Sequence, residues 1–299
     1  MARYLAQGYK ALYKRPSTFF EGIEQLASAE IACIESGSQI RKEKYWMPSV
    51  RIDDGMAIED AISETRRLLL QSMKLRLRSD VPLAFCLSGG VDSASLVSIA
   101  AKEFNCRAVT FSIIDTDERY NEEDNIRATV DDCGCEAHLL PIPQEEALPR
   151  LGELIRYHDA PVATITYYVH SMLSERISKS GYRVAFSGTS ADELFTGYYD
   201  HFLLHLNELR GSADYEKALE GWRNHILGFV RNPVLRNPRL YEESPGFRDH
   251  VYDNSSEFLK YLKIDTLEPF VEEEYCFSLL RNRMLNELMH ESTPVILHE

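Results

Sequence analysis

Two short stretches of this chain carry the residue types of phosphate chemistry. The first is Leu87-Ser88-Gly89-Gly90-Val91-Asp92-Ser93. Adjacent glycines let a backbone turn sharply and approach a phosphate closely. Ser88 and Ser93 offer hydroxyl donors. A helix starting near Asp92 would aim free N–H groups and the positive end of its dipole at the same spot. An aspartate in such a loop makes chemical sense with a divalent cation, because magnesium takes one or two carboxylates together with phosphate oxygens. The second stretch is Ser187-Gly188-Thr189-Ser190-Ala191-Asp192-Glu193-Leu194-Phe195-Thr196-Gly197-Tyr198. It sets a carboxylate pair, Asp192 and Glu193, beside a glycine turn. Each stretch alone also reads as an ordinary turn with an acidic helix start. The first is neither the P-loop that ends in Gly-Lys-Ser/Thr nor the dinucleotide Gly-x-Gly-x-x-Gly fingerprint.

Loops of this kind need a sheet to hold them. Leu83 to Leu87 is wholly apolar, as strands buried on both faces of a parallel sheet are. A helix over Ala94–Phe104 follows, then a strand over Ala108–Ile114, a helix over Glu122–Asp132 and a strand over Ala137–Ile142. Helices around 144–157 and 166–179 lead to a fourth strand, Tyr182–Phe186. This alternation predicts an α/β fold, a doubly wound parallel sheet with right-handed crossovers, and ligands at the carboxyl ends of its strands. Upstream, Ile58, Ile62, Thr65, Leu69 and Met73 repeat at helical spacing. Residues 1–46 hold short strand-like runs, Thr18–Ile23 and Ile31–Glu35, and close at Tyr45-Trp46-Met47-Pro48. A polar linker from Arg51 to Gly55 places a boundary near 50–57. Beyond Tyr198 the chain reads as mostly helical, with an irregular stretch from Asn232 to Phe247. Glu272-Glu273-Glu274 reads as a solvated helix start.

Bulk properties exclude some functions. The 299 residues carry a formal net charge of −14, which argues against a nucleic-acid partner. No apolar run approaches the roughly 18 residues that span a bilayer, and no signal-peptide core is visible, so no membrane partner is expected. Six cysteines, some in apolar runs, fit a reduced, cytoplasmic setting. Cys133-Gly134-Cys135 lacks the spacing of zinc and redox motifs. His201 and His205 read as structural residues of a helix. Tyr167, Tyr168, Tyr198 and Tyr199 read equally well as pocket lining and as packing.

The first stretch resembles the PP-loop of ATP pyrophosphatases, and the second resembles the signature of asparagine synthetases. Together they make the chain similar to the synthetase domain of the glutamine-hydrolysing asparagine synthetases. That resemblance implies a PP-loop, adenine nucleotide alpha hydrolase-like sheet, with ATP and magnesium as cofactors. It implies nucleotide contacts at Leu87, Ser88, Gly89, Gly90, Asp92, Ser93, Ser187 and Gly188. It places Val109, Phe111 and Ser112 on the strand whose backbone holds the adenine. Asp92 and Asp192 would hold magnesium and, with Glu193, form the catalytic set. Aspartate would be adenylated with loss of pyrophosphate, and ammonia would then displace AMP to give asparagine. Tyr120-Asn121-Glu122-Glu123 resembles the family's entry into its second helix. His158-Asp159-Ala160-Pro161 resembles an acidic family segment with Ala160 replacing the acid.

Residues 57–299 would form this synthetase domain, C-terminally incomplete. The family's pyrophosphate-neutralising cation follows about where Leu297-His298-Glu299 stand, so none is carried over. Residues 1–56 resemble the last part of a class II glutaminase domain, on Tyr4, Gly8-Tyr9, Thr18–Ile23 and Tyr45-Trp46, and would be strands orphaned from a missing sheet. The family's glutaminase nucleophile is an N-terminal cysteine. Ala2 stands at that place, so no intrinsic glutaminase activity is expected. A separate glutaminase subunit and a homodimer are partners that the resemblance leaves open. Thr189 stands where some relatives have glutamate, and a threonine orients by hydrogen bonds but is no base at neutral pH. Three other readings stay open: a β-lactam-synthetase-like or other adenylating amidotransferase, a tRNA-thiolating PP-loop enzyme, and a nucleotide-binding module without catalysis. Net charge and the lack of paired CxxC motifs weigh against the tRNA enzyme.

Overall fold

The computed structural model describes residues 1–37, 39–53, 55–117, 121–142, 147–251, 255–263 and 271–298. Asp54 of the linker, Tyr120, the first residues of the helix expected at 144–157, and Glu299 lie outside the described residues. In chain order the elements are α1 (Ala2–Gln7), β1 (Glu30–Cys33), β2 (Arg41–Lys44), α2 (Ile58–Arg76), β3 (Leu83–Cys86), α3 (Val91–Phe104), β4 (Val109–Ile114), α4 (Glu123–Cys133), β5 (Glu136–Pro141), α5 (Ala147–His158), α6 (Thr166–Lys179) and β6 (Val184–Phe186). Helices follow: α7 (Asp192–Phe195), α8 (Tyr199–Glu208), α9 (Tyr215–His225), α10 (Leu240–Glu243), α11 (Ser255–Leu259), α12 (Leu279–His290) and α13 (Ser292–Leu297). The chain divides into two compact units, residues 52–189 and residues 1–51 with 190–298.

The unit 52–189 holds a four-stranded sheet in the order β5-β4-β3-β6, parallel throughout. Strand alternation sends Phe85 to one face, where it packs with Leu87, Met73 of α2, Val97 of α3 and Ile126 of α4. Ala84 goes to the other face, with Val109, Phe111 and Ile177 of α6. Helices therefore cover both faces, as the apolar runs required. The sheet grows from β3 to β5 in one direction, and the chain then returns on the other side of β3 as β6. That reversal makes the carboxyl ends of β3 and β6 a topological switch point, where open α/β sheets take ligands. The amphipathic reading of α2 holds at one end. Met73 is buried, whereas Ile58 and Ile62 remain exposed.

In the other unit, Leu203, Leu204 and Leu206 of α8 pack with Trp222 of α9 and with Leu240 and Tyr241 of α10. β1 and β2 form an antiparallel two-stranded ribbon. The expected strand at Thr18–Ile23 is instead a turn, bracketed by a single bridge between Ser17 and Glu24. Thr18 Oγ1 donates to the Ile23 carbonyl at 2.7 Å and accepts from the Phe20 N–H at 3.1 Å, so its hydroxyl bends the chain as turn serines and threonines do. The expected helix start at Glu272–Glu274 is also corrected. α12 begins at Leu279, and Glu272 is drawn inward by two arginines described below. Among the described residues no helix is long and apolar enough to cross a membrane.

Candidate functional site

The loop after β3 is held by its own atoms. The Leu87 N–H donates to the Phe111 carbonyl at 2.9 Å, which ties the loop's root to β4. Ser93 is 5% exposed, and its hydroxyl accepts from the Ser88 N–H at 3.0 Å and lies 3.0 Å from the Ser88 carbonyl and 2.9 Å from Ser88 Oγ. Ser93 is therefore spent on shaping the loop, whereas Ser88 stays exposed. Gly90 precedes α3, whose first N–H groups have no intrahelical acceptor. Asp92 sits half-buried in that first turn. Carboxylate, hydroxyls and backbone make an all-oxygen donor set suited to a hard cation such as magnesium.

The loop after β6 comes up against this turn. A Cβ at Gly188 would stand 2.9 Å from the Ser93 nitrogen and 3.2 Å from Asp92 Cβ. Glycine at 188 is thus what lets the two loops meet. Ser187 Oγ lies 2.7 Å from Thr189 Oγ1, so Thr189 orients its neighbour. Gly89 has a different reason. A Cβ there would collide with Glu122 Cβ and stand 3.1 Å from Asn125 Cβ. The Gly89 N–H donates to Glu122 Oε2 at 3.0 Å. Sequence reasoning missed Glu122 in this role, because the contact joins residues with no local pattern between them. Val109, Phe111 and Ser112 are all buried in β4. Phe111 stacks on His138 with ring centroids 4.6 Å apart. The Ser112 hydroxyl has no hydrogen-bond partner among the described residues.

Asp192 and Glu193 belong to the other unit and open the short helix α7. Two non-glycine residues with left-handed φ bracket it, Ser190 at 71° and Thr196 at 70°. For a β-branched threonine that conformation is strained, and such strain concentrates at functional turns. A side chain at Gly197 would collide with the Asp192 carboxylate. Glu193 is 1% exposed and accepts from the Tyr198 hydroxyl at 2.7 Å. Burial, with Glu193 alongside, pushes the Tyr198 phenol well above its usual range. Tyr198 thus supports Glu193, Tyr167 and Tyr168 are buried packing residues, and Tyr199 is exposed.

Beneath α7 the same unit holds a buried charge network that the sequence did not announce. Arg283 is fully buried and donates to Glu272 at 2.9 Å, Glu287 at 2.9 Å and Glu291 at 2.6 Å. Lys14 reaches Glu291 at 3.2 Å, and Arg248 grips Glu272 with bonds of 2.7 and 2.8 Å. Burial works against the Asp200 carboxylate, but His250 at 3.1 Å and the Arg283 charge outweigh it and hold the pKa well below the usual range. Asp200, His201 and Glu287 lie close enough to share a metal ion. The Arg283 guanidinium already supplies a cation there, with Nε 3.5 Å from Asp200. His201 is structural, bonded to Glu287 at 2.7 Å. The six cysteines are free thiols, and burial raises the Cys86 and Cys135 pKa values to about 11.

A parallel sheet flanked by helices on both faces, with two glycine loops meeting at a helix N-terminus, is an α/β fold. The Asparagine synthase family profile matches residues 64–277, and the chain belongs to that family. The protein named Amidase chyE of Penicillium rubens is 25% identical over 201 residues, 60% of this chain and 30% of its own length. Glutamine-hydrolyzing asparagine synthetase 1 of Bacillus subtilis is 34% identical over 141 residues, 46% of this chain and 21% of its own length. A putative asparagine synthetase of Methanocaldococcus jannaschii is 27% identical over 252 residues, 81% of this chain and 46% of its own length. The chain thus spans less than half the length of these relatives.

Proposed function

We propose that this chain is an ATP-dependent carbon–nitrogen ligase that activates a carboxylic acid as its acyl-adenylate and transfers the acyl group to an amine. The observation that carries this reading is the meeting of the loops 87–93 and 187–189 at the N-terminus of α3, within the family-matched segment. Backbone N–H groups and the helix dipole would hold the phosphates. β4 is paired on both sides, and the buried Ser112 hydroxyl, without a hydrogen-bond partner among the described residues, would be available to the base. Asp92 would hold magnesium at this loop, Asp192 enters as a ligand from the family resemblance alone, and magnesium would supply charge neutralisation for the departing pyrophosphate. A carboxylate oxygen attacks the α-phosphorus, the bond to the β-phosphate bridging oxygen breaks, and pyrophosphate leaves. The amine nitrogen then attacks the acyl carbon, AMP leaves, and the amine loses a proton to solvent. The protein's part is position and charge.

The names of the relatives favour aspartate as the acid and ammonia as the amine, giving asparagine. A second reading, an amidotransferase acting on another carboxylate, is favoured by the amidase-named relatives and by Thr189, which offers a hydroxyl and no base. A glutaminase on a separate chain would be the ammonia source. The test is pyrophosphate release from ATP and magnesium with aspartate and ammonium, comparing the wild-type chain with Asp92→Asn. Aspartate-dependent release that the variant loses supports asparagine synthesis. Release with other acids alone moves the reading to the second substrate class. ATP binding without release under any of these conditions makes the chain a nucleotide-binding module.

A further inference from the structure

We propose that Glu122 is a built-in anion that occupies the phosphate loop until a nucleotide displaces it. The inference rests on the nucleotide reading above and names a control on that same site. Four observations lead to it. The Glu122 carboxylate takes the Gly89 N–H at 3.0 Å, a donor at the centre of the loop. Gly89 is required by this very contact, since any Cβ would collide with Glu122 Cβ. Glu122 does not use its side chain to cap α4. That work falls to Asn121, whose Oδ1 accepts from the Glu123 N–H at 2.8 Å. Glu122 is also exposed, so its carboxylate can leave the loop for solvent.

A charged acceptor on a backbone N–H makes a stronger bond than a neutral one. Until a nucleotide competes for it, the Gly89 N–H is therefore held by Glu122. When a triphosphate arrives, it competes for the same donor and meets like charge from Glu122 and from Asp92 in the first turn of α3, whereas Glu123 is paired with Arg127. Free nucleotide is disfavoured most. The magnesium complex, with less net charge, is disfavoured less. Glu122 thus selects the metal-bound nucleotide and is a positioning residue rather than a catalytic one.

The experiment compares ATP binding by the wild type and by Glu122→Gln, with and without magnesium. The substitution keeps length and an acceptor oxygen and removes only the charge. Glu122→Ala serves as a second variant, and amide spectra of the ligand-free chains report on Gly89. The expected result is that Glu122→Gln binds magnesium-free ATP about threefold to tenfold more tightly, with a smaller gain for the magnesium complex and a larger one at low salt. The Gly89 amide proton should shift upfield in Glu122→Ala, where its acceptor is gone. Equal or weaker ATP binding by Glu122→Gln overturns the proposal alone. So does a Gly89 amide unmoved in Glu122→Ala. Failure of wild type and variants alike to bind ATP overturns the nucleotide reading and takes this proposal with it.

Discussion

The loop at 87–93 and the network around Arg283 handle charge in opposite ways. The loop uses backbone N–H groups, two glycines and short hydroxyls drawn from one contiguous stretch, and no side chain caps the helix that follows it. The network joins the carboxylates of Asp200, Glu272, Glu287 and Glu291 to the cations of Lys10, Lys14, Arg248 and Arg283. Four negative charges meet four positive ones, with only a few atoms, such as Nδ1 of His201 and Nδ1 of His250, left without a hydrogen bond among the described residues. A site for chemistry keeps unspent hydrogen-bonding capacity, whereas a structural polar core spends most of it on charge pairing.

That contrast can be broken experimentally. The largest effect should come from Arg283→Met, which strands buried carboxylates and should cost about 3–5 kcal/mol or prevent folding. Thermal unfolding measures it. The double variant Arg283→Met with Glu291→Met should recover part of the loss, because the two residues share one interaction. A single variant as stable as wild type would break the comparison.

Gly188→Ala should come next, at about 1–3 kcal/mol, because its Cβ would press on the backbone nitrogen of Ser93. ATP affinity should fall in parallel. Gly221→Ala is the control. Its Cβ meets nothing within 4 Å and it lies inside α9, so it should stabilise the chain by about 0.5–1 kcal/mol. Tyr198→Phe should cost about 1–3 kcal/mol, since it leaves the buried Glu193 carboxylate without its hydrogen bond. Denaturant titration reads both.

The smallest effect concerns pH. Burial pulls the Lys14 pKa down from its ordinary 10.5 to about 8, with Glu291 opposing that pull. Between those values the unfolded chain binds more protons than the folded one, so this residue's contribution is present above 10.5 and lost as pH falls through about 8. Wild type should therefore gain stability relative to Lys14→Met on going from pH 8 towards 10.5, by on the order of 1 kcal/mol after solvent screening. A flat difference across that window would show that burial does not lower the Lys14 pKa on balance.

Much of the fold was legible. The alternation of apolar runs and helical spacing from Leu83 to Phe186 matches β3 to β6 and the helices between them closely. Thr18–Ile23 misled because aromatic and β-branched residues favour strands only where a partner strand exists. Here a threonine hydroxyl closed a turn instead. Glu272 misled because acidic runs are usually solvated, and nothing near it in sequence points to Arg248 or Arg283. Within the site, Ser88, Gly89, Gly90, Asp92 and Gly188 stood out by residue type. Glu122 did not, since its partner lies 33 residues away.

The sequence by itself determined the parallel α/β sheet, the place of both glycine loops at strand ends and the family, because each depends on contiguous residues with strict backbone demands. Tertiary structure alone decided how side chains are spent. It turned Ser93 inward to pin the loop, set Glu122 on Gly89, tied Glu193 to Tyr198 and gathered residues from Lys10 to Glu291 around one arginine. Those pairings are set by which surfaces packing brings together, and no local pattern encodes the partner of a side chain distant in sequence.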